Sequence, residues 1–165
     1  MSRRFCHLAL ITGANGFIGS HLCSVLEADG IQSRMLSRTR SDRPNTVMGD
    51  LGDAASLTRA CEAVDTVFHC AGYAHAFSAL NGHEAVQHQV INFEGTLNLV
   101  EAAGRAGVTR LVFLSSVKAM AEPGDSCVDE HWVGVPQTDY GRAKRAAEEA
   151  VLEAGARHGM HVVNL

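Results

Sequence analysis

Short apolar runs alternate along the chain with longer stretches in which apolar residues recur every three or four positions. Residues 8–12 predict a first strand. Residues 17–29 place Phe17, Ile18, Leu22, Val25 and Leu26 on one stripe and predict a helix that Asp29-Gly30 closes. A second strand is expected over 31–36, a polar loop with Pro44 over 37–45, and a short third strand at Val47-Met48. Residues 53–63 predict a helix capped by Asp53, and 66–70 a fourth strand. A long loop over 73–83 contains Asn81-Gly82. From 84 to 104, Val86, Val90, Phe93, Leu97 and Val100 follow helical spacing, with Gly107 beyond them. Strand five is expected over 110–115, a second long loop over 116–137, a helix over 138–154 and a sixth strand over 160–165.

Alternating strands and helices with short apolar strands predict a parallel sheet covered by helices on both faces. Between the first strand and the first helix lie Gly13, Gly16 and Gly19, spaced G-x-x-G-x-x-G. In that context one glycine adopts backbone angles that a Cβ forbids, and another lets the main chain approach a pyrophosphate. The third packs helix on strand, and the helix N-terminus favours an anion. A nucleotide loop after the first strand and right-handed crossovers favour the doubly wound order 3-2-1-4-5-6. Ligands of such sheets sit at the carboxyl ends of the strands, so the long loops after strands four and five are placed to carry chemistry.

At 165 residues the chain is one domain with room for a core, 46% apolar and 19% charged. A net charge of −4 gives no nucleic-acid surface. The basic start is followed by an apolar run too short for a signal peptide or a membrane span, and the expected location is cytoplasmic. Five cysteines without a C-x-x-C pattern read as free thiols. The nine histidines, His69, His75, His83 and His88 among them, show no metal-ligand spacing.

Two further signals lie downstream. Tyr140 and Lys144 form Y-x-x-x-K on a predicted helix, and the i, i+4 spacing puts both on one face. An ammonium near a phenol favours the phenolate and suits the tyrosine to acid/base work. Ser115-Ser116 stand at the end of strand five, where a serine can hold a substrate hydroxyl or carbonyl. All three signals fall in the order that one nicotinamide-binding fold requires.

The sequence resembles the extended short-chain dehydrogenase/reductases, the NAD-dependent epimerase/dehydratase group acting on nucleotide sugars. The resemblance is carried by residues 12–19, Gly49-Asp50-Leu51, His69-Cys70-Ala71-Gly72, Asn92-Phe93-Glu94-Gly95-Thr96, Phe113-Leu114-Ser115-Ser116, and Tyr140 with Lys144. Residues 113–118 look most like UDP-sugar 4-epimerase-like proteins linked to surface polysaccharide synthesis. The resemblance implies a Rossmann-type sheet and a set of roles. Gly13, Gly16 and Gly19, with Asn15 in their loop and the N–H groups of Phe17 and Ile18 nearby, hold the pyrophosphate. Asp50 and Leu51 border adenine. Ala71 and Gly72 line the nicotinamide side, supported by Asn92. Tyr140 is the acid/base, Lys144 binds the nicotinamide ribose and tunes it, and Ser116, ahead of Ser115, bonds the reacting sugar oxygen. A homodimer through the helices around 84–104 and 138–154 is common in the family.

Three departures stand out. Family members that use NAD carry an acidic residue after strand two, whereas this chain has Ser37-Arg38. Arginine can meet a 2′-phosphate or stack on adenine, which leaves NAD and NADP both open. Ala119-Met120-Ala121 replace the common V-Y-G. The chain ends at Leu165, where family members continue into a substrate lobe. Residues 1–165 therefore read as the dinucleotide-binding, N-terminal part of a larger protein, with an exposed sixth strand, a tendency to self-associate and doubtful turnover in isolation. A nucleotide-sugar epimerase is expected. A dehydratase or reductase of the same family, or a non-catalytic nicotinamide-binding module, stands beside it. A dehydratase needs a further acid/base pair, for which the second loop offers Glu122, Asp125, Asp129 and Glu130.

Overall fold

The computed structural model describes residues 7–73, 83–121, 124–129, 131, 132 and 134–165. Cys6, His75, Asn81-Gly82, Glu122, Pro123 and Glu130 lie outside the described residues. Six strands form one parallel sheet: β1 (Leu8–Thr12), β2 (Gln32–Ser37), β3 (Thr46–Met48), β4 (Thr66–His69), β5 (Arg110–Phe113) and β6 (His161–Asn164). Their order is β3-β2-β1-β4-β5-β6, with β1 between β2 and β4 and β6 at an edge. The order reverses beside β1, and a crevice opens there at the carboxyl ends of the strands.

The sheet's two faces are covered unequally. On one, Leu57, Leu99, Val100, Val151 and Ala154 pack on Leu10, Val67, Leu111 and Phe113. They come from α2 (Ala54–Cys61), α4 (Gly95–Arg105) and α5 (Asp139–His158). The other face carries α1 (Phe17–Ala28), whose Cys23 and Leu26 pack on Ala9, Ile11 and Met35. Val112 pairs with Phe68 and Val163 on that face, and Val163 is exposed.

Local sequence explains the element ends. The Asp53 carboxylate accepts from the N–H groups of Ala55 and Ser56 and starts α2, as expected. Thr138 caps α5 by accepting from Gly141 N–H. That helix runs to His158, past the expected end at 154, because Gly155 sits against Val162, where a larger residue would not fit. Gly159, at φ 68°, then closes it.

Two helical patterns present a different face from the one the apolar periodicity marks. In α1, Phe17, Ile18 and Val25 are exposed, and the buried stripe is Gly19, Cys23 and Leu26. Gly19 must face inward because a Cβ there would collide with the Gly13 carbonyl. Residues 84–104 do not form one regular helix. A short α3 (His83–Gln87) leads into a π-helical segment over His88–Glu94 and then α4. The wide turn puts His88 and Asn92 inside, while Val86 and Val90 stay exposed.

Candidate functional site

A cleft of about 520 Å³ lies along the crevice. Gly13, Ala14, Asn15 and Gly16 form one wall, Arg38, Asp50 and Leu51 one end, and Ala71, Gly72 and Tyr73 the other. Gly13 makes the turn at φ 68°, and a Cβ there would lie 2.6 Å from Ala71 N. The chain therefore reserves this wall for bare backbone. The N-terminus of α1 has no side-chain cap and no acidic residue in its first turn. Its N–H groups and helix dipole are left for an anion. A dinucleotide's pyrophosphate fits that cradle. Phe17 and Ile18 do not line the cleft, and their side chains point to solvent.

The β2–β3 end of the cleft is lined by Leu36, Ser37, Arg38, Thr39 and residues 49–52. Asp50 Oδ1 accepts from Gly52 N–H at 2.8 Å, and Asn98 Nδ2 donates to the Leu51 carbonyl at 2.9 Å. Ser37 Oγ donates to the Thr39 carbonyl at 2.8 Å, so its hydroxyl is committed within the loop. Arg38 is exposed at the cleft rim.

Beyond Gly72 and Tyr73 lie the groups expected to do chemistry; Tyr140, Lys144, Ser116 and Asn92 do not line the cleft itself. A Cβ on Gly72 would stand 3.2 Å from Asn92 Oδ1 and 3.6 Å from Lys144 Nζ. Glycine there lets both side chains reach the cleft wall. Lys144 is buried; its ammonium donates to the Leu114 carbonyl at 2.7 Å and stands 4.4 Å from the centre of the Phe113 ring. Burial pushes its pKa down to about 8, against the opposing pull of the Glu148 carboxylate.

Tyr140 lies in the first turn of α5, one residue before Gly141, and a Cβ on Gly141 would strike the Lys118 carbonyl. That close approach packs the start of α5 against the 3₁₀ turn Val117–Ala119, whose cap is Ser116. Ser116 Oγ accepts from Lys118 N–H at 3.3 Å, a role that leaves its hydrogen for another acceptor. Ser115 differs, because its hydroxyl donates to the Glu148 carboxylate. The Tyr140 ring meets His88 edge-on at 5.4 Å between centroids, and His88 lies 5.1 Å from Tyr73.

Sequence reasoning passed over Tyr73, Thr39, Val90 and Ile91, which line the cleft. The apolar spacing of Val90 drew it towards a buried stripe. It also passed over His88, whose tyrosine neighbours come from separate segments. Cys23 and Cys61 are buried, Cys70 lines the cleft half-buried and Cys127 is exposed, all as free thiols. Asp125 and Asp129 are exposed. Among the described residues no group of three or more histidine, cysteine or acidic side chains is arranged to hold a metal, and no helix is long and apolar enough to cross a membrane.

The model of the NAD dependent epimerase/dehydratase family matches residues 9–165. The sterol demethylase protein B of Methylococcus capsulatus is 33% identical over 166 residues, covering 94% of this chain and 49% of that protein. The UDP-glucose 4-epimerase of Azospirillum brasilense is 30% identical, with 94% and 47% covered. The structure of the Thermus thermophilus UDP-glucose 4-epimerase in complex with NAD matches with a TM-score of 0.82 at 28% identity, covering 95% of this chain and 53% of that one. The chain spans about half the length of the curated relatives it matches.

Proposed function

The chain belongs to the NAD dependent epimerase/dehydratase family, and on that premise we propose that its cleft binds a nicotinamide dinucleotide beside a Tyr140–Lys144 proton-transfer pair. The reacting substrate is a nucleotide sugar. The single observation that carries this reading is Gly72, which stands between the cleft and the Lys144 ammonium. Residues 1–165 act as the dinucleotide-binding part of that machinery.

Gly13, Gly16 and the first-turn N–H groups of α1 hold the pyrophosphate, with Asn15 at the rim. Asp50 and Leu51 border adenine, and Ala71 and Gly72 flank the nicotinamide. A nicotinamide held there would supply a reversible hydride acceptor for the substrate carbon. Tyr140 as phenolate accepts the proton of the sugar hydroxyl as the carbon gives up its hydride. The ketone oxygen then rests against the Ser116 hydroxyl. For epimerisation Tyr140 would give the proton back to the oxygen as the ketone is reduced on its opposite face. Lys144, fixed by the Leu114 carbonyl, keeps positive charge near the phenolate and offers its remaining hydrogens to the nicotinamide ribose.

The dinucleotide we assign is NADP. The position directly after β2 holds Arg38 rather than a carboxylate, the Ser37 hydroxyl is turned into its own loop, and Arg38 is exposed at the rim, where it can meet a 2′-phosphate.

A second reading takes a sterol hydroxyl as the reacting group, favoured by the 33% identity to a sterol demethylase protein. The same Tyr140 chemistry serves it. The test is sugar interconversion and cofactor reduction with UDP-hexoses, alongside cofactor reduction with a 3-hydroxysterol. Turnover of one class that Tyr140→Phe abolishes supports the mechanism and chooses the substrate. Full activity in Tyr140→Phe would sink it.

A further inference from the structure

His69 is a titratable side chain beside the cleft residues Thr12 and Cys70 that the chemistry above does not use. It closes β4, is fully buried and stacks on Phe113 with centroids 5.4 Å apart. Both ring nitrogens have hydroxyl partners, Thr12 Oγ1 at 2.6 Å from Nδ1 and Thr96 Oγ1 at 2.9 Å from Nε2.

Counting hydrogens fixes the direction of every bond. The one hydroxyl hydrogen of Thr96 goes to the Asn92 carbonyl at 2.8 Å, since a carbonyl only accepts. Thr96 must therefore accept from His69 Nε2–H. Nδ1 is then bare and accepts the hydroxyl hydrogen of Thr12. Thr12 Oγ1 in turn accepts from Ala71 N–H at 3.2 Å. One directed chain runs from the Ala71 amide through Thr12, His69 and Thr96 to the Asn92 carbonyl. Burial, with the Lys144 ammonium nearby, holds the imidazole pKa down at about 3, which keeps the ring in this neutral form.

We propose that His69, held as the Nε2–H tautomer, is the positioning residue for the nicotinamide end of the cleft. Ala71 and Gly72 form that wall. Asn92, whose amide grips Tyr73, supports it from behind. His69 ties both to the end of β1, from which the glycine turn departs. The adenine end, built by residues 37–39 and 49–52, shares none of these bonds. The inference rests on the nicotinamide reading given above.

The asymmetry supplies the test. The intact chain is titrated with NADPH and with 2′-phospho-ADP-ribose, which lacks the nicotinamide; NADH and ADP-ribose serve as the second pair. His69→Phe keeps the ring stack and removes both nitrogens. We expect it to weaken dinucleotide binding five- to tenfold and to leave the ADP-ribose fragment within twofold. His69→Gln, with an amide N–H for Thr96, should recover most of the loss. Thr96→Val breaks the chain at its next link and should reproduce the same split if His69→Phe does not fold. Nitrogen-15 spectra of the wild type at pH 7 should give a protonated Nε2 and a bare Nδ1. Equal weakening of both probes, no weakening of either, or the opposite tautomer would overturn the inference. A wild-type chain that binds the fragment but gains nothing from the nicotinamide would also overturn it. Binding of neither probe by the wild type would instead remove the dinucleotide reading and this inference with it.

Discussion

Asn92 holds Tyr73 by both of its backbone groups: Tyr73 N–H donates to Oδ1 at 2.7 Å, and Nδ2 donates to the Tyr73 carbonyl at 2.9 Å. The side chain acts as a substitute strand partner just where the chain leaves β4. It does so because the π-helical turn over His88–Glu94 rotates Asn92 into the interior. Asn92→Ala removes the side-chain partner of two partly buried backbone groups, at a cost of about 1–3 kcal/mol for each one left unsatisfied. A lower melting temperature and weaker dinucleotide binding are expected together. Unchanged binding in a destabilised Asn92→Ala would separate the fold from the site.

Gly13→Ala tests the glycine wall. The position has φ 68°, and the added methyl would lie 2.6 Å from Ala71 N. Strain of this kind costs about 1–3 kcal/mol, and the wall must shift into the pyrophosphate's place. A melting temperature lower by several degrees with loss of dinucleotide binding is expected, read by calorimetry.

Arg38→Ala tests the choice of cofactor. A charge-assisted bond to a 2′-phosphate contributes about 1.5–3 kcal/mol. The variant should lose about tenfold or more in NADP affinity while NAD binding stays unchanged. An equal effect on both would assign Arg38 to stacking on adenine.

His69 predicts a pH dependence of stability. Its folded pKa of about 3 lies below the usual value of 6.5. Between those values the unfolded chain binds a proton that the folded chain refuses, so stability falls as pH falls through that window. The slope approaches about 1.4 kcal/mol per pH unit for one full proton. Denaturant unfolding at steps from pH 7.5 to 4.5 should show His69→Phe losing that increment relative to wild type. Parallel curves would mean that His69 takes up its proton in the folded state.

The strand order and the Asp53-capped start of α2 were legible because each depends on a few neighbouring residues: an apolar run, Asp53, the glycine turn. Helix faces were less so. In α1 the exposed apolar residues Phe17, Ile18 and Val25 are bulkier than the buried stripe of Gly19, Cys23 and Leu26, and only the collision of a Gly19 side chain with Gly13 shows which way the helix must turn. The π-helical segment left no periodic signal, because one extra residue per turn moves His88 and Asn92 inward against the pattern of Val86 and Val90. Of the two serines, the resemblance pointed to Ser116. The Ser115–Glu148 bond, which commits the Ser115 hydroxyl, joins residues far apart in sequence and left no mark in it. The His69 chain stayed hidden for the same cause, since Thr12, His69 and Thr96 meet through the fold.

The most direct measurement is a calorimetric titration of the chain with NADP and NAD, repeated with Lys144→Met. One dinucleotide per chain is expected, with NADP the tighter and about tenfold weaker binding in the variant, the effect of one lost charge-assisted bond. Absence of binding by either dinucleotide, or equal affinity after Lys144→Met, would contradict the assignment of this cleft.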